Sequence, residues 1–211
     1  MKTGQLVEAL VSDRAAVRRP LARSLGLALA AGGLLSLVVY FVGLGVRPDI
    51  GPAIATWRFD LKVAMVLFGL ILTFVICLDC ARPDMPRHPL RRLLPLVAVL
   101  VVAVAIELLS TPSSSWQTRL VGSNSMICLP MVPVLSIAPL VAALFVLRRT
   151  APASPILAGA VAGLLSALAG AALYAFHCFD DSPLFVATWY SLATLPMMVI
   201  GAIAGRWLLR W

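Results

Sequence analysis

Four cysteines, a histidine and two adjacent aspartates carry most of the reactive chemistry in this sequence. Cys77 and Cys80 form a C-x-x-C, Cys128 stands alone, and Cys178 lies within His177-Cys178-Phe179-Asp180-Asp181. Thiolates bind soft metals, exchange with disulfides and react with oxidants. Cys128, Cys178 and His177, with carboxylates close by, suit a zinc- or cadmium-type ion. In an oxidising compartment Cys128 and Cys178 also suit a reversible disulfide or a permanent structural one. Cys77/Cys80 has no second C-x-x-C to complete a metal site and reads as a pair of small buried thiols.

The elements that must position these groups are apolar. Of 211 residues, 61% are hydrophobic and 12% charged, about half the charge of a soluble domain. Apolar runs cover about Leu25–Val46, Leu61–Leu78, Leu93–Leu109, Ile127–Leu147, Ile156–Phe176 and Thr188–Leu208. Each approaches the roughly 20 residues that cross a bilayer as a helix. None alternates as barrel strands do. The expected fold class is therefore all-α, a polytopic membrane protein with a bundle of six transmembrane helices. The first run is too long for a signal-peptide core, and no small-x-small cleavage pattern follows it.

Lys and Arg set the expected orientation. They are dense in the N-terminal tail, in the connection holding Arg82, Arg87, Arg91 and Arg92, at Arg148-Arg149, and at Arg206 and Arg210. That pattern predicts both chain ends in the cytoplasm. The net charge of +8 follows from this topology and calls for no direct nucleic-acid partner. Cys128 and Cys178 then flank one helical hairpin, which brings both thiols to the same depth at the periplasmic surface. Cys77/Cys80 falls at the opposite end.

Two units result: a cytoplasmic tail, 1–24, and a six-helix domain, 25–211. In the tail, Leu6, Val7 and Leu10 form an apolar helical face, with Pro20 expected to end that helix. Such a face lies on a membrane or docks in a partner's groove. No segment outside the spans is long enough for a soluble catalytic domain, so no enzyme activity is expected. Polar groups within the spans are few, and Glu107 is expected to reach the interface, so no small-molecule substrate is indicated. The G-x-x-x-G pairs Gly159/Gly163 and Gly201/Gly205 predict close helix packing within the chain. A membrane thiol oxidoreductase and a small transporter are the alternative readings.

Several blocks carry a resemblance that runs nearly end to end. They are Met1-Lys-Thr with Leu6-Val-Glu-Ala-Leu10, Phe59-Asp-Leu-Lys62, Ala81-Arg-Pro83, Cys128-Leu-Pro-Met-Val-Pro-Val-Leu-Ser136, and Ala172 to Phe185 followed by Trp189-Tyr190. On these residues the chain resembles the NrsF-type integral-membrane anti-sigma factors. The resemblance implies a multi-pass protein of the bacterial inner membrane that sequesters a cytoplasmic extracytoplasmic-function (ECF) sigma factor. It further implies release under heavy-metal or oxidative stress, sensed through Cys128 and Cys178. The implied partners are the sigma factor and membrane lipids. No constitutive cofactor is implied, only a zinc- or cadmium-type ion as signal.

Overall fold

The computed structural model describes residues 3–210, with side chains described from Pro20 to Arg210. Its long elements are α1 (Thr3–Gly43), α3 (Trp57–Cys80), α4 (Leu94–Ser110), α6 (Ser125–Leu147), α7 (Pro155–Tyr174) and α9 (Ser191–Leu208). Short helices α2 (Ile50–Ile54), α5 (Trp116–Val121) and α8 (Pro183–Phe185) connect them. Among the described residues there is no strand, and six helical stretches are long and apolar enough to cross a membrane. These are Pro20–Gly43, Trp57–Cys80, Pro89–Ser110, Ser113–Leu147, Pro155–Tyr174 and Pro183–Leu208.

The ends of these stretches differ from the sequence expectation for local reasons. The second reaches back to Trp57 because the Thr56 side chain accepts from Phe59 N and caps the helix. The sixth begins at Pro183, where Ser182 accepts from Leu184 N and proline takes the first helical position. It then passes through a π-turn, Val186–Tyr190, into α9. Pro20 does not end the tail helix, as the sequence led us to expect: α1 runs unbroken from Thr3 to Gly43 with Pro20 inside. An interior proline removes one backbone bond and costs about 3 kcal/mol. Pro20 stands at the limit of the apolar stretch, so the bond it removes lies on the tail side and none within the run from Leu21 is lost. Leu6, Val7 and Leu10 lie on this helix, but their side chains fall outside the described residues.

Small residues set the packing. A Cβ on Gly159 or Gly163 would run into the α9 backbone at Gly201 or Met197, and one on Gly201 into Gly159. The two G-x-x-x-G motifs therefore face each other inside the chain. Gly32 of α1 rests on Pro139 of α6, and Ser36 Oγ donates to Leu135 O at 2.6 Å, fixing α1 against α6. Two apolar clusters result, one at each end of the bundle. Leu25, Cys77, Cys80 and Leu147 belong to the cluster at the tail end. Cys128 and Cys178 share the other with Tyr40, Tyr174 and Tyr190. We refer to these as the tail end and the cysteine end.

Candidate functional site

The cysteine end is built around the turn that follows α7. Cys178 lies there, its N–H donating to Tyr174 O, and its thiol sits 3.7 Å from Asp180 O. Cys128 is in the first turn of α6, and both cysteines are fully buried free thiols. The next two residues hold the turn in place. The Asp180 carboxylate accepts from Ser123 N at 2.9 Å and Asn124 N at 2.7 Å, the unpaired donors at the start of α6. This fastens the Cys178 turn to the helix that carries Cys128. Gly122, just before, adopts φ +62°, and a Cβ there would strike the Asp180 carboxylate and the Phe185 ring.

Asp181 ties the same turn to α1 and α3. Its carboxylate pairs with Arg47 at 2.8 Å and with Lys62, both cations being almost wholly buried. The Cys178 carbonyl accepts from Lys62 Nζ at 2.9 Å and Arg47 Nη1 at 3.0 Å. Arg47 N donates to Phe176 O at 3.1 Å, and His177 Nδ1 donates to Gly45 O at 3.0 Å. The C-terminal end of α1 is thus stapled to residues 176–181. Hydrogen bonding to Asp49, then to Asp181, pushes the Arg47 pKa further up, while Arg47 holds Asp49 below the usual carboxylate range. Burial pushes the Cys178 thiol up to about 11, with the Lys62 charge opposing it.

A second charge knot secures α4. Glu107 is fully buried and pairs with Arg58 at 2.9 Å and Arg119 at 2.6 Å. The expectation that Glu107 reaches the interface is therefore corrected: two arginines come to it instead. A buried carboxylate needs such partners, since an uncompensated buried charge is strongly destabilising. Ser182 Oγ lies 3.4 Å from Glu107 Oε1 and links this knot to the cysteine turn.

The expected Cys–His–carboxylate ligand set is not assembled. Among the described residues no group of three or more His, Cys, Asp and Glu is arranged to hold a metal ion. His177 is committed to Gly45 O and packs against Tyr174 and Phe179. Asp180 caps α6 and Asp181 balances two cations. What remains is a pair of thiols in one apolar cluster, without the four ligands of a closed zinc site. Two soft sulfur donors fit a thiophilic ion of low coordination number, or a disulfide. Tyr40 and Tyr190, in the same cluster, keep buried hydroxyls without a hydrogen-bond partner.

Cys77 and Cys80 lie in the tail-end cluster. The two cysteine pairs occupy separate clusters, an arrangement that does not support direct exchange between them. Sequence reasoning gave Arg47, Arg58 and Arg119 no site role and met Lys62 only within the Phe59–Lys62 block of the resemblance. The available signal was that every one of them is a cation next to an apolar run, where a buried charge demands a carboxylate.

The fold is an all-α bundle with six helices long and apolar enough to cross a membrane, and with two buried thiols in the cluster at one end. The comparisons name its family. Residues 10–211 match the family described as "Negative regulator of sigma F", NrsF, and the chain belongs to it. The anti-sigma-F factor NrsF of Caulobacter vibrioides is 34% identical over 217 residues, covering all of both chains. A probable anti-sigma-F factor NrsF of Azospira oryzae is 28% identical, again over the full length of both. No solved structure matches. The chain is accordingly an anti-sigma factor by family, and its partner class is a sigma factor.

Proposed function

We propose that this chain lies in the bacterial inner membrane with both ends in the cytoplasm. There it holds an ECF sigma factor inactive and releases it when Cys128 and Cys178 meet heavy-metal or oxidative stress from the periplasmic side. The charge pattern supports the orientation. Arg23, Arg87, Arg91, Arg148, Arg149 and Arg206 stand exposed at the tail end, whereas Arg47, Arg58, Lys62 and Arg119 at the cysteine end each pair with a carboxylate.

One observation carries the mechanism. A single helix, Thr3–Gly43, runs from the tail to the staple that grips the Cys178 turn. Oxidation of the two thiols forms an S–S bond and passes two electrons and two protons to the oxidant. Ligation of a soft ion releases the thiol protons. Either event redraws the packing between α6 and the Cys178 turn, whose carbonyl Arg47 and Lys62 hold. The strain passes along α1 to the tail, where Leu6, Val7 and Leu10 contact the sigma factor. Moving such an equilibrium from 1:99 to 99:1 takes about 5.5 kcal/mol of differential stabilisation. A disulfide typically contributes about 2–4 kcal/mol, and thiolate–metal binding in small zinc peptides about 10–16 kcal/mol. A metal signal therefore has energy to spare, while a disulfide needs help from the broken staple.

The test is co-purification of the chain with ECF sigma factors from detergent-solubilised membranes, together with a sigma-dependent reporter. The expected result is capture of one sigma factor and a reporter that rises when the chain is deleted. Absence of capture, with a reporter indifferent to deletion, refutes the proposal.

A further inference from the structure

At the tail end, the ends of three helices enclose a cavity of about 430 Å³. Leu21 and Ser24 of α1 form one side, Ala81, Arg82 and Pro83 after α3 another, and Phe145 and Val146 at the end of α6 with Arg149 and Thr150 after it the third. These residues lie within a few positions of the span limits Pro20, Cys80 and Leu147. The cavity thus sits where hydrocarbon gives way to headgroups. Two guanidiniums and two hydroxyls line it, and among the described residues no carboxylate does. The Arg149 guanidinium stacks over Phe145 at 5.0 Å, and a guanidinium held by its face keeps its N–H edge for an anion. Leu21, Phe145 and Val146 give the rest of the wall an apolar character.

A basic cleft between helix ends, with hydroxyls and apolar side chains in its lining, matches the chemistry of an anionic phospholipid. Resting on the membrane reading above, we propose that this groove binds one such lipid. Arg149 holds its phosphate, Arg82 adds positive charge beside it, Ser24 offers a hydrogen bond, and the acyl chains descend along α1 and α6. The cavity touches α1 at Leu21 and Ser24, where the helix leaves the bundle towards the tail. The bound lipid therefore packs against the base of the proposed sigma-binding arm.

The test is native mass spectrometry of the full chain in mild detergent, titrated with phosphatidylglycerol, phosphatidylethanolamine or inorganic phosphate. We expect selective retention of phosphatidylglycerol, weakened about fivefold to tenfold in Arg149→Gln and in Arg82→Gln. Ser24→Trp, which fills an exposed part of the wall, should weaken it without changing charge. Arg206→Gln, on α9 and outside the groove, should leave it unchanged. An unchanged thermal transition in each variant shows that the fold is intact. Equal loss in Arg206→Gln means general attraction and overturns the proposal, as does unchanged retention in Arg149→Gln. Displacement by millimolar inorganic phosphate assigns the site to free phosphate instead. Loss of the sigma factor from Arg149→Gln with lipid retention intact makes the groove a protein-docking surface. A chain absent from the membrane fraction fails the membrane reading itself, and is scored separately.

Discussion

The two ends of the bundle treat charge in opposite ways. At the cysteine end the described cations are answered: Arg47 by Asp49 and Asp181, Lys62 by Asp181, Arg58 and Arg119 by Glu107. At the tail end Asp79 pairs with Arg92 at 2.5 Å, while Arg23, Arg87, Arg91, Arg148, Arg149 and Arg206 are exposed. The first end is a closed structure whose ionic contacts hold its own segments together. The second presents positive charge outward. Under the proposed function the first end is the sensor, because a local chemical change there must shift geometry, and the second is the effector.

Breaking the closed end should have the largest effect. Glu107→Ala leaves Arg58 and Arg119 without their carboxylate, and we expect a loss of about 3–5 kcal/mol. A thiol-reactive dye can follow unfolding in detergent, because all four cysteines are buried. A transition within a degree of the wild type would contradict the burial assigned to Glu107. Next comes the helix contact that spans both ends. Gly163→Val pushes a side chain into the backbone at Met197, and overpacking of this kind costs about 1–3 kcal/mol, visible in the same assay.

The staple sharpens the comparison through reactivity. With the Cys178 pKa pushed up to about 11 by burial, its thiol stays protonated at neutral pH. Alkylation of Cys178 in the folded protein should be slow at pH 7.5. It should climb about tenfold per pH unit until it nears that value. A rate independent of pH over 7.5–9.5 would argue against the buried setting. The smallest effect belongs to the open end. Arg206→Gln should change stability by less than about 0.5 kcal/mol, as exposed surface substitutions usually do.

The hydropathy of the chain made the six membrane-length helices legible, since an apolar run of that length has few options besides a helix. The glycine spacing at Gly159/Gly163 and Gly201/Gly205 was legible for a related reason: only small residues permit so close a backbone approach. Pro20 misled because the bond it removes lies in the turn before it, and α1 continues across that single gap. The site was legible only in part. Cys128 and Cys178 could be brought together by counting along one hairpin, and the structure places both in a single cluster. Their surroundings could not be read that way. Arg47 meets Asp181 across 134 positions and Arg58 meets Glu107 across 49, and no periodicity records such pairings. His177 looked like a ligand because its partner, Gly45 O, is a backbone atom that any residue would supply.

The central claim is that chemistry at the cysteine end loosens the sigma factor at the tail end. The most direct measurement is sigma-factor release from immobilised chain, in cadmium and separately in a thiol oxidant, for the wild type and for Cys128→Ser/Cys178→Ser. The account predicts release from the wild type and retention by the double variant under both signals. Equal release from both proteins would contradict it.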